Sequence, residues 1–197
     1  KWLDIPLMKW MSDRLAERDK SNQSHSDFAN AHIQEITWGI KCVLNALQFL
    51  HTQASLGHGY LGLHAIFVCP NGDWKLGSFD LACNITVYDD EVFFKRYNAY
   101  LTSAFMSPER SNIDRGDIVF RKAFGVIDIY SLACCIEEIF SYLGISVPAH
   151  FEKYLKKMKT IDFVKRPSAR QLIKCQLFST EYIKLMESLG ASSSKTL

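Results

Sequence analysis

Residues 57–62 read Gly-His-Gly-Tyr-Leu-Gly, and their types and spacing suggest phosphate chemistry. They match G-x-G-x-x-G, a pattern whose backbone N–H groups hold the pyrophosphate of a dinucleotide. The pattern works when it follows a strand and opens a helix, because the phosphates then meet the helix N-terminus. Here a predicted helix ending near residue 53 precedes the glycines and a predicted strand follows them. We therefore interpret the match as accidental.

The polar groups of residues 58–82, HGYLGLHAIFVCPNGDWKLGSFDLA, are poorly suited to phosphoryl transfer. Tyr60 is neutral at pH 7 and a weak base there, since an unperturbed tyrosine has a pKa of about 10. Ser78 offers one neutral oxygen where Mg²⁺ prefers a carboxylate, and Ala65 offers no ligand atom. Asp80 is left as a candidate metal ligand, although a solvated aspartate in a turn is the favoured interpretation.

Two clusters of charged residues leave other functions open. An acidic cluster could hold a metal in an enzyme whose ligands have moved, but a solvated loop is favoured. A basic cluster could contact RNA, with binding that falls steeply with salt, but an ordinary exposed helix face is favoured. The acidic cluster is Asp80, Asp89, Asp90 and Glu91, and the basic cluster is Lys153, Lys156, Lys157, Lys159 and Lys165.

The composition limits the classes of protein to consider. With 197 residues and 48% hydrophobic residues, the chain can bury a substantial core. Its net charge of +2 gives no overall attraction to nucleic acid or membranes. No run of about 18 apolar residues predicts a membrane span. The six cysteines lack C-x-x-C spacing and are expected to be free, mostly buried thiols. Since the chain opens at Lys1 without a signal-peptide pattern, we expect a longer parent protein.

The apolar periodicity predicts a mainly α fold with a small β-hairpin around residues 66–77. The hairpin follows from two short apolar runs on either side of Asn71-Gly72, a strong turn signal. His51 and His58 flank the end of the longest helix and are interpreted as structural hydrogen-bonding residues. Helices are predicted over 6–18, 28–53, 148–159, 168–175 and 178–189, with a further buried helix that opens at Asp128.

The segment 81–107 is predicted to be a long loop rich in aromatic residues. A loop packed down on the domain is favoured over an exposed aromatic site for a partner. The tail, residues 191–197, is expected to be disordered.

Five motifs occur in the order in which protein kinases carry them, and the chain resembles the C-terminal lobe of that fold. Residues 1–190 are accordingly assigned to one kinase-like lobe. The motifs are His58-Gly59-Tyr60-Leu61 for His-Arg-Asp-Leu, Ser78-Phe79-Asp80 for Asp-Phe-Gly, Ser107-Pro108-Glu109 for Ala-Pro-Glu, Asp128-Ile129-Tyr130-Ser131 for Asp-x-Trp-Ser, and Arg166-Pro167-Ser168 for Arg-Pro-Ser/Thr.

By this resemblance, four degenerate positions lack groups that a kinase uses. Tyr60 stands for the catalytic Asp, Ala65 for the magnesium-binding Asn, and Ser78 for the metal-binding Asp of Asp-Phe-Gly. Gly62 replaces a Lys that would hold the transferring phosphate. Phosphoryl transfer depends on positioning and on neutralising charge. The resemblance therefore implies a pseudokinase with no catalytic residue, bound metal or cofactor.

The resemblance also implies that the residues supporting the fold remain. Glu109 is expected to pair with Arg166. Asp128 is expected to accept backbone hydrogen bonds from the loop at His58, because a buried carboxylate needs such partners. Tyr60 and Phe79 are expected to fill the space that ATP and metal take in a kinase.

More narrowly, the chain resembles the Scy-like pseudokinases, also called N-terminal kinase-like proteins. Their N-terminal lobe and HEAT-type repeats have no counterpart in this sequence. The resemblance implies an inactive eukaryotic scaffold whose partners are vesicle-coat or trafficking proteins (coatomer, clathrin) or the tRNA-export machinery. It also implies a cytoplasmic location, peripheral to Golgi or endosomal membranes. A divergent ATP-binding kinase and a regulatory pseudokinase of another family stay open. The matching segments are residues 35–40, 46–50, 73–77, 165–170 and 178–189.

Overall fold

A computed structural model describes residues 4–21, 24–84, 103–111 and 119–179, with side chains of the last range described from Gly125 onward. The described residues are mostly helical, with short antiparallel strands, which confirms the mainly α prediction. The helices are α1 (Leu7–Ser21), α2 (His25–Phe49), α3 (Pro108–Ser111), α4 (Val119–Tyr142), α5 (Ala149–Met158) and α6 (Ala169–Ile173). The strands are β1 (Ile5–Pro6), β2 (Leu56–Gly57), β3 (Ile66–Val68), β4 (Trp74–Leu76) and β5 (Cys83–Asn84).

Helix α2 begins three residues earlier than its apolar pattern predicts because a polar cap extends it. The Ser24 side chain accepts a hydrogen bond from the backbone N–H of Asp27, at 3.2 Å. This cap satisfies one of the free N–H groups of the first turn. At the other end the helix continues as a π-helical turn, Leu50–Ala54, and Ser55 ends it in the left-handed region with φ 54°.

The predicted hairpin is present. Strands β3 and β4 pair antiparallel, with Ile66 opposite Leu76 and Val68 opposite Trp74. The turn between them contains Gly72 at φ 86°, a conformation that glycine adopts without strain. Strand β1 pairs antiparallel with β3, so the sheet order is β1-β3-β4, and β2 pairs with β5 in a second sheet.

The core lies between α2, α4 and the hairpin. Ile36, Ile40, Val43, Leu44 and Leu47 recur at helical spacing along α2 and are completely buried. Buried residues of α4 complete this core; they are Ile127, Ile129, Leu132, Ala133, Cys135, Ile136, Ile139 and Phe140.

A glycine of α2 lets the hairpin approach closely. A Cβ added at Gly39 would lie 2.0 Å from Cδ2 of Trp74, which is a severe overlap. The indole of Trp74 therefore lies directly against the helix backbone, and it is only 4% exposed. This contact fixes β4 on α2.

The C-terminal helices agree with the sequence within a few residues. Helix α5 matches the prediction over 148–159, and α6 matches that over 168–175. Ser168 and Gln171 form a reciprocal capping box at the start of α6. The predicted helix over 178–189 lies almost entirely outside the described residues, as do the tail at 191–197 and most of the loop at 81–107.

Two further expectations concern cysteines and membranes. All six cysteines are free, as expected, and Cys69, Cys83 and Cys135 are buried. Within the described ranges, no helix combines the length and apolarity needed to cross a bilayer.

Candidate functional site

The carboxylate of Asp128 organises the loop at residues 57–62, as the sequence predicts. Asp128 projects from α4 and is 1% exposed. Its Oδ2 accepts the backbone N–H of His58 at 2.8 Å, and its Oδ1 accepts that of Gly59 at 2.9 Å. The Nε2 of His51 lies 2.8 Å from Oδ2 and completes the set. One side chain thus holds two successive peptide groups of the loop.

These contacts keep Asp128 ionised. Burial alone would raise the pKa of this carboxyl. The hydrogen bond and charge of His51 and the backbone hydrogen bond from His58 act in the opposite direction and lower the pKa of Asp128 below its usual range. The structure therefore contains a buried anion with a complete set of donors.

The imidazole of His58 links the same loop to the end of the hairpin. Its Nε2 lies 2.8 Å from the carbonyl oxygen of Gly77, which can only accept. Its Nδ1 lies 3.2 Å from the backbone N–H of Tyr60, which can only donate. The ring is therefore the neutral tautomer with its proton on Nε2. Both nitrogens are engaged in a fully buried site, so His58 has a structural role in this geometry and no free nitrogen for acid–base work.

Arg110 is a member of the site that sequence reasoning missed. It follows Glu109 on α3, is 4% exposed, and donates through Nη1 to the carbonyl of Gly59. Burial lowers the pKa of Arg110 to about 10, against the opposing effect of the Asp128 charge. Gly59 has a positive φ of 71°. No sequence motif marks Arg110, so its contact with Gly59 becomes visible only in the tertiary structure.

Arg166 and Glu109 form the expected ion pair, and the arginine binds more groups than the motif predicts. Its Nη1 donates to Oε1 of Glu109, and its Nη2 lies 3.1 Å from Oε2, so the pair is bidentate. The guanidinium also donates to the carbonyls of Val126 at 2.8 Å and Thr160 at 3.0 Å. The guanidinium carbon of Arg166, Cζ, lies 5.1 Å from the ring centroid of Tyr130. Arg166 thereby joins α3, α4 and the segment that follows α5.

The four degenerate positions lie on two segments that one backbone hydrogen bond brings together. The N–H of Gly77 donates to the carbonyl of Ala65 at 2.8 Å, which places Ser78 beside the loop. Ala65 is completely buried, and the half-buried ring of Tyr60 packs 4.3 Å from the ring of His64. A Cβ at Gly62 would lie 2.8 Å from ring atoms of His64, an exposed side chain that could move aside.

Phe79 lies at the surface beside the loop. Its side chain is 47% exposed, with its ring centroid 5.2 Å from that of His58. It follows Ser78, whose φ of 55° lies in the left-handed region. That Tyr60 and Phe79 take the space of ATP and metal stays a prediction.

The candidate acidic cluster is only partly described. Asp80 is exposed, while Asp89, Asp90 and Glu91 lie outside the described residues. Within the part of the chain that the structure describes, no group of three or more His, Cys, Asp or Glu side chains is arranged to hold a metal ion.

The basic cluster is partly neutralised. Lys159 pairs with Glu137 at 2.6 Å, and Lys165 pairs with Asp162 at 2.9 Å. The other three lysines, Lys153, Lys156 and Lys157, lie exposed on α5. Two of the five charges are therefore already matched by carboxylates of the chain.

The glycine pattern at residues 57–62 does not open a helix of useful length. It begins on strand β2, and only the three-residue 3₁₀ turn Leu63–Ala65 follows before β3. The pyrophosphate geometry of a dinucleotide-binding turn requires a helix N-terminus at this point. The interpretation of an accidental match therefore agrees with the geometry.

No protein-family model matches this chain. A Dictyostelium discoideum protein described as probable inactive serine/threonine-protein kinase scy1 is 26% identical over 115 residues, covering 58% of this chain and 13% of that protein. A Mus musculus protein described as associating with the carboxyl-terminal domain of ezrin is 33% identical over 75 residues, covering 38% and 10%. The chain thus spans 13% and 10% of these two curated relatives. The first match supports a distant Scy-like relationship.

Proposed function

We propose that this chain is a catalytically inactive protein-kinase-like module, equivalent to a kinase C-terminal lobe, and that it works as a protein-binding scaffold. One observation carries the proposal. The buried carboxylate of Asp128 holds the loop at His58 and Gly59 in a fixed shape, with bonds of 2.8 and 2.9 Å. By the kinase resemblance, Tyr60 and Ala65 of this region stand where a kinase carries a carboxylate and an amide.

The second anchor supports the same proposal. The bidentate pair of Arg166 and Glu109 joins segments 57 residues apart in the chain. Loss of either partner of such a buried pair destabilises the fold, because the remaining charge is left without a counter-charge and out of contact with solvent. The contacts of Asp128 and the pair of Arg166 and Glu109 stabilise the fold, while the reactive groups of a kinase are missing, and this combination supports a scaffold role. One relative is described as a probable inactive kinase.

We further propose that the partners are proteins of vesicle coats or trafficking and that the protein works in the cytoplasm, at Golgi or endosomal membranes. The Scy-like resemblance supports this proposal, and the description of the mouse relative as associating with part of ezrin supports a protein as the class of partner. A role in tRNA export is the second candidate, because Lys153, Lys156 and Lys157 form an exposed basic face on α5.

The test of inactivity uses ATP and Mg²⁺ with the purified protein. We expect no change in melting temperature on adding both and no Mg²⁺-dependent ATP turnover. The variant Asp80→Asn and the matched surface variant Asp19→Asn are measured in parallel. Mg²⁺-dependent turnover that Asp80→Asn abolishes and Asp19→Asn preserves would replace the scaffold with a divergent enzyme.

The test of the partner class compares purified coat proteins with tRNA. We expect saturable binding to coatomer or clathrin. Affinity for tRNA that falls steeply between 50 and 200 mM salt, and that is lost with glutamine at Lys153, Lys156 and Lys157, would instead favour the tRNA role, since phosphate contacts release counterions.

A further inference from the structure

The turn of the hairpin contains Asn71-Gly72, a dipeptide that can react with itself. When the backbone nitrogen of the glycine reaches the side-chain carbonyl carbon of the asparagine, the two close a five-membered ring and ammonia leaves. Glycine favours this step because it has no side chain to obstruct the ring. Both residues are exposed, and a Cβ added at Gly72 would meet no atom within 4 Å. They also line an open groove between α1, α2 and the hairpin turn, so solvent can reach them.

The folded turn engages the nitrogen that would attack. The backbone N–H of Gly72 donates to the carbonyl oxygen of Cys69 at 2.9 Å. An amide nitrogen attacks only after it has lost this proton, and the carbonyl oxygen accepts the hydrogen bond without taking up the proton. The hydrogen bond therefore stabilises the unreactive form of the Gly72 amide.

The side chain of Asn71 is held at both ends by the next residue but one. Its Oδ1 accepts the backbone N–H of Asp73 at 3.2 Å, and its Nδ2 donates to Oδ2 of Asp73 at 2.8 Å. The other carboxylate oxygen, Oδ1, accepts the indole N–H of Trp38 at 2.9 Å, which anchors Asp73 to α2. Rotation of the Asn71 amide toward the nitrogen of Gly72 would break these bonds. The charge of Asp73 also opposes a second negative charge on the neighbouring amide nitrogen.

We propose that Asn71 is a deamidation site that the folded turn protects and that reacts when the turn opens. In the opened turn, the nitrogen of Gly72 bonds to Cγ of Asn71, the Cγ–Nδ2 bond breaks, and the leaving ammonia carries the proton that the Gly72 amide has lost. Water then opens the ring at either carbonyl, which leaves aspartate or isoaspartate at position 71 with no change of oxidation state. The inference goes beyond the proposed scaffold function and does not depend on it.

The product would not fit the folded turn. A carboxylate at position 71 has no N–H to donate to Oδ2 of Asp73, so two anions would face each other where one hydrogen bond stood. The isoaspartate form also adds a methylene group to the backbone between Cys69 and Asp73, whose N–H and carbonyl groups pair at 2.8 Å. Deamidation would therefore displace Asp73 and loosen the bond that holds Trp38 beside the groove.

The first experiment compares the rate of deamidation in the folded protein with the rate in urea at the same mildly alkaline pH. Trypsin releases residues 42–75 as one peptide, because no lysine or arginine stands between Lys41 and Lys75. Fragmentation in a mass spectrometer then distinguishes Asn71 from Asn45, an internal control that precedes alanine. We expect Asn71 to react about tenfold or more slowly in the folded protein, because the reaction follows the small population of opened turn.

The second experiment removes the bonds that hold Asn71. Asp73→Ala deletes the acceptor of Nδ2, and Trp38→Phe keeps an aromatic ring but deletes the donor that anchors Asp73. We expect the folded rate to rise by about fivefold for Asp73→Ala, the value of one hydrogen bond, and by less for Trp38→Phe. The matched control Asp19→Ala, at a side chain that is 71% exposed on α1, should leave the rate unchanged. Each rate is divided by that of the same variant in urea, which removes the effect of a changed neighbour on the chemistry itself.

A third variant tests the effect of the product. Asn71→Asp places a carboxylate in the turn from the start, and we expect the indole N–H signal of Trp38 in the isotope-labelled protein to shift and broaden. An indole signal identical to that of the native protein would contradict the predicted loosening of the turn.

Three results would overturn the protection itself. They are equal rates at Asn71 in the folded protein and in urea, unchanged folded rates in both Asp73→Ala and Trp38→Phe, and an acceleration by Arg166→Ala as large as that by Asp73→Ala. The last result would assign the protection to global stability, because Arg166 lies outside the turn and its contacts. If Asp73→Ala does not fold, Trp38→Phe decides the second test alone. None of these results alters the ATP measurement, so the two proposals fail separately.

Discussion

The loop at His58 and the groove at Trp38 differ in what they leave exposed. In the loop, the oxygens of Asp128 and both ring nitrogens of His58 bind partners within the chain. In the groove between α1, α2 and the hairpin turn, Arg14 pairs with Glu35, Trp10 and Trp74 are nearly buried, and Trp38 is 36% exposed. The position that resembles a catalytic centre is therefore closed by its own bonds, while the groove leaves one aromatic ring at the surface.

The largest effect that would break this comparison is expected at Asp128. Replacing Asp128 with Ala removes the acceptor of two buried backbone N–H groups and of His51. We expect the free energy of unfolding to fall by about 4 kcal/mol, because buried donors lose their partners. Urea denaturation measures the change, with the surface variant Asp13→Ala as the control at less than about 0.5 kcal/mol. A loss below about 1 kcal/mol for Asp128→Ala would show that the loop does not depend on this carboxylate.

The pair of Arg166 and Glu109 should rank next. Arg166→Ala leaves Glu109 without its partner in a site where the Arg166 side chain is wholly buried. We expect a loss of about 3 kcal/mol, with a coupling energy of about 2 kcal/mol in a double-mutant cycle with Glu109→Ala. Additive single effects would mean that the carbonyls of Val126 and Thr160, and not Glu109, account for the stability that Arg166 provides.

A change at Gly39 should affect the groove and spare the loop. Gly39→Ala introduces a methyl group 2.0 Å from the ring of Trp74, so the indole must move. We expect the free energy of unfolding to fall by about 2 kcal/mol from overpacking, measured by urea denaturation. The exposed residue Asn45, on the same helix, provides the control variant Asn45→Ala. A Gly39→Ala protein as stable as the native one would show that the indole of Trp74 can move without cost.

The smallest expected effect is a pH dependence that belongs to the loop alone. The folded-state pKa of Asp128 is lowered, so its contribution to stability is complete above the unfolded pKa of about 3.9 and is lost as the pH falls through the folded value. Denaturation at a series of pH values from 7 down to 2.5 should show a flatter acid limb for Asp128→Asn than for the native protein. Parallel limbs would mean that Asp128 has the same pKa in both states.

Contacts could be predicted from the sequence where a motif is associated with a known local geometry. The partners of Asp128 and of Arg166 could be expected because their motifs stand at fixed places in one kind of fold. The hairpin could be expected because Asn71-Gly72 joins two apolar runs. The prediction of the ends of α2 was less accurate, because apolar periodicity does not reflect the capping bond of Ser24 or the π-helical turn Leu50–Ala54.

Other features had no local signal to find. Strand β1 has two residues, too few for any alternation to be visible. The contact of Arg110 with Gly59 joins residues 51 positions apart, and the left-handed φ of Ser78 has no glycine or asparagine to signal it. The groove needs side chains from two helices and a turn at once. Each of these arises from tertiary packing, which single-residue preferences do not encode.

The bond between Asp128 and His58 also sets an order of events during synthesis. Its partners are 70 residues apart, so a chain emerging from the ribosome must wait for α4 before the loop at residues 57–62 can take its shape. The walls of the groove, by contrast, all come from residues 5–74. All the residues that line the groove are thus translated before the residue that closes the loop.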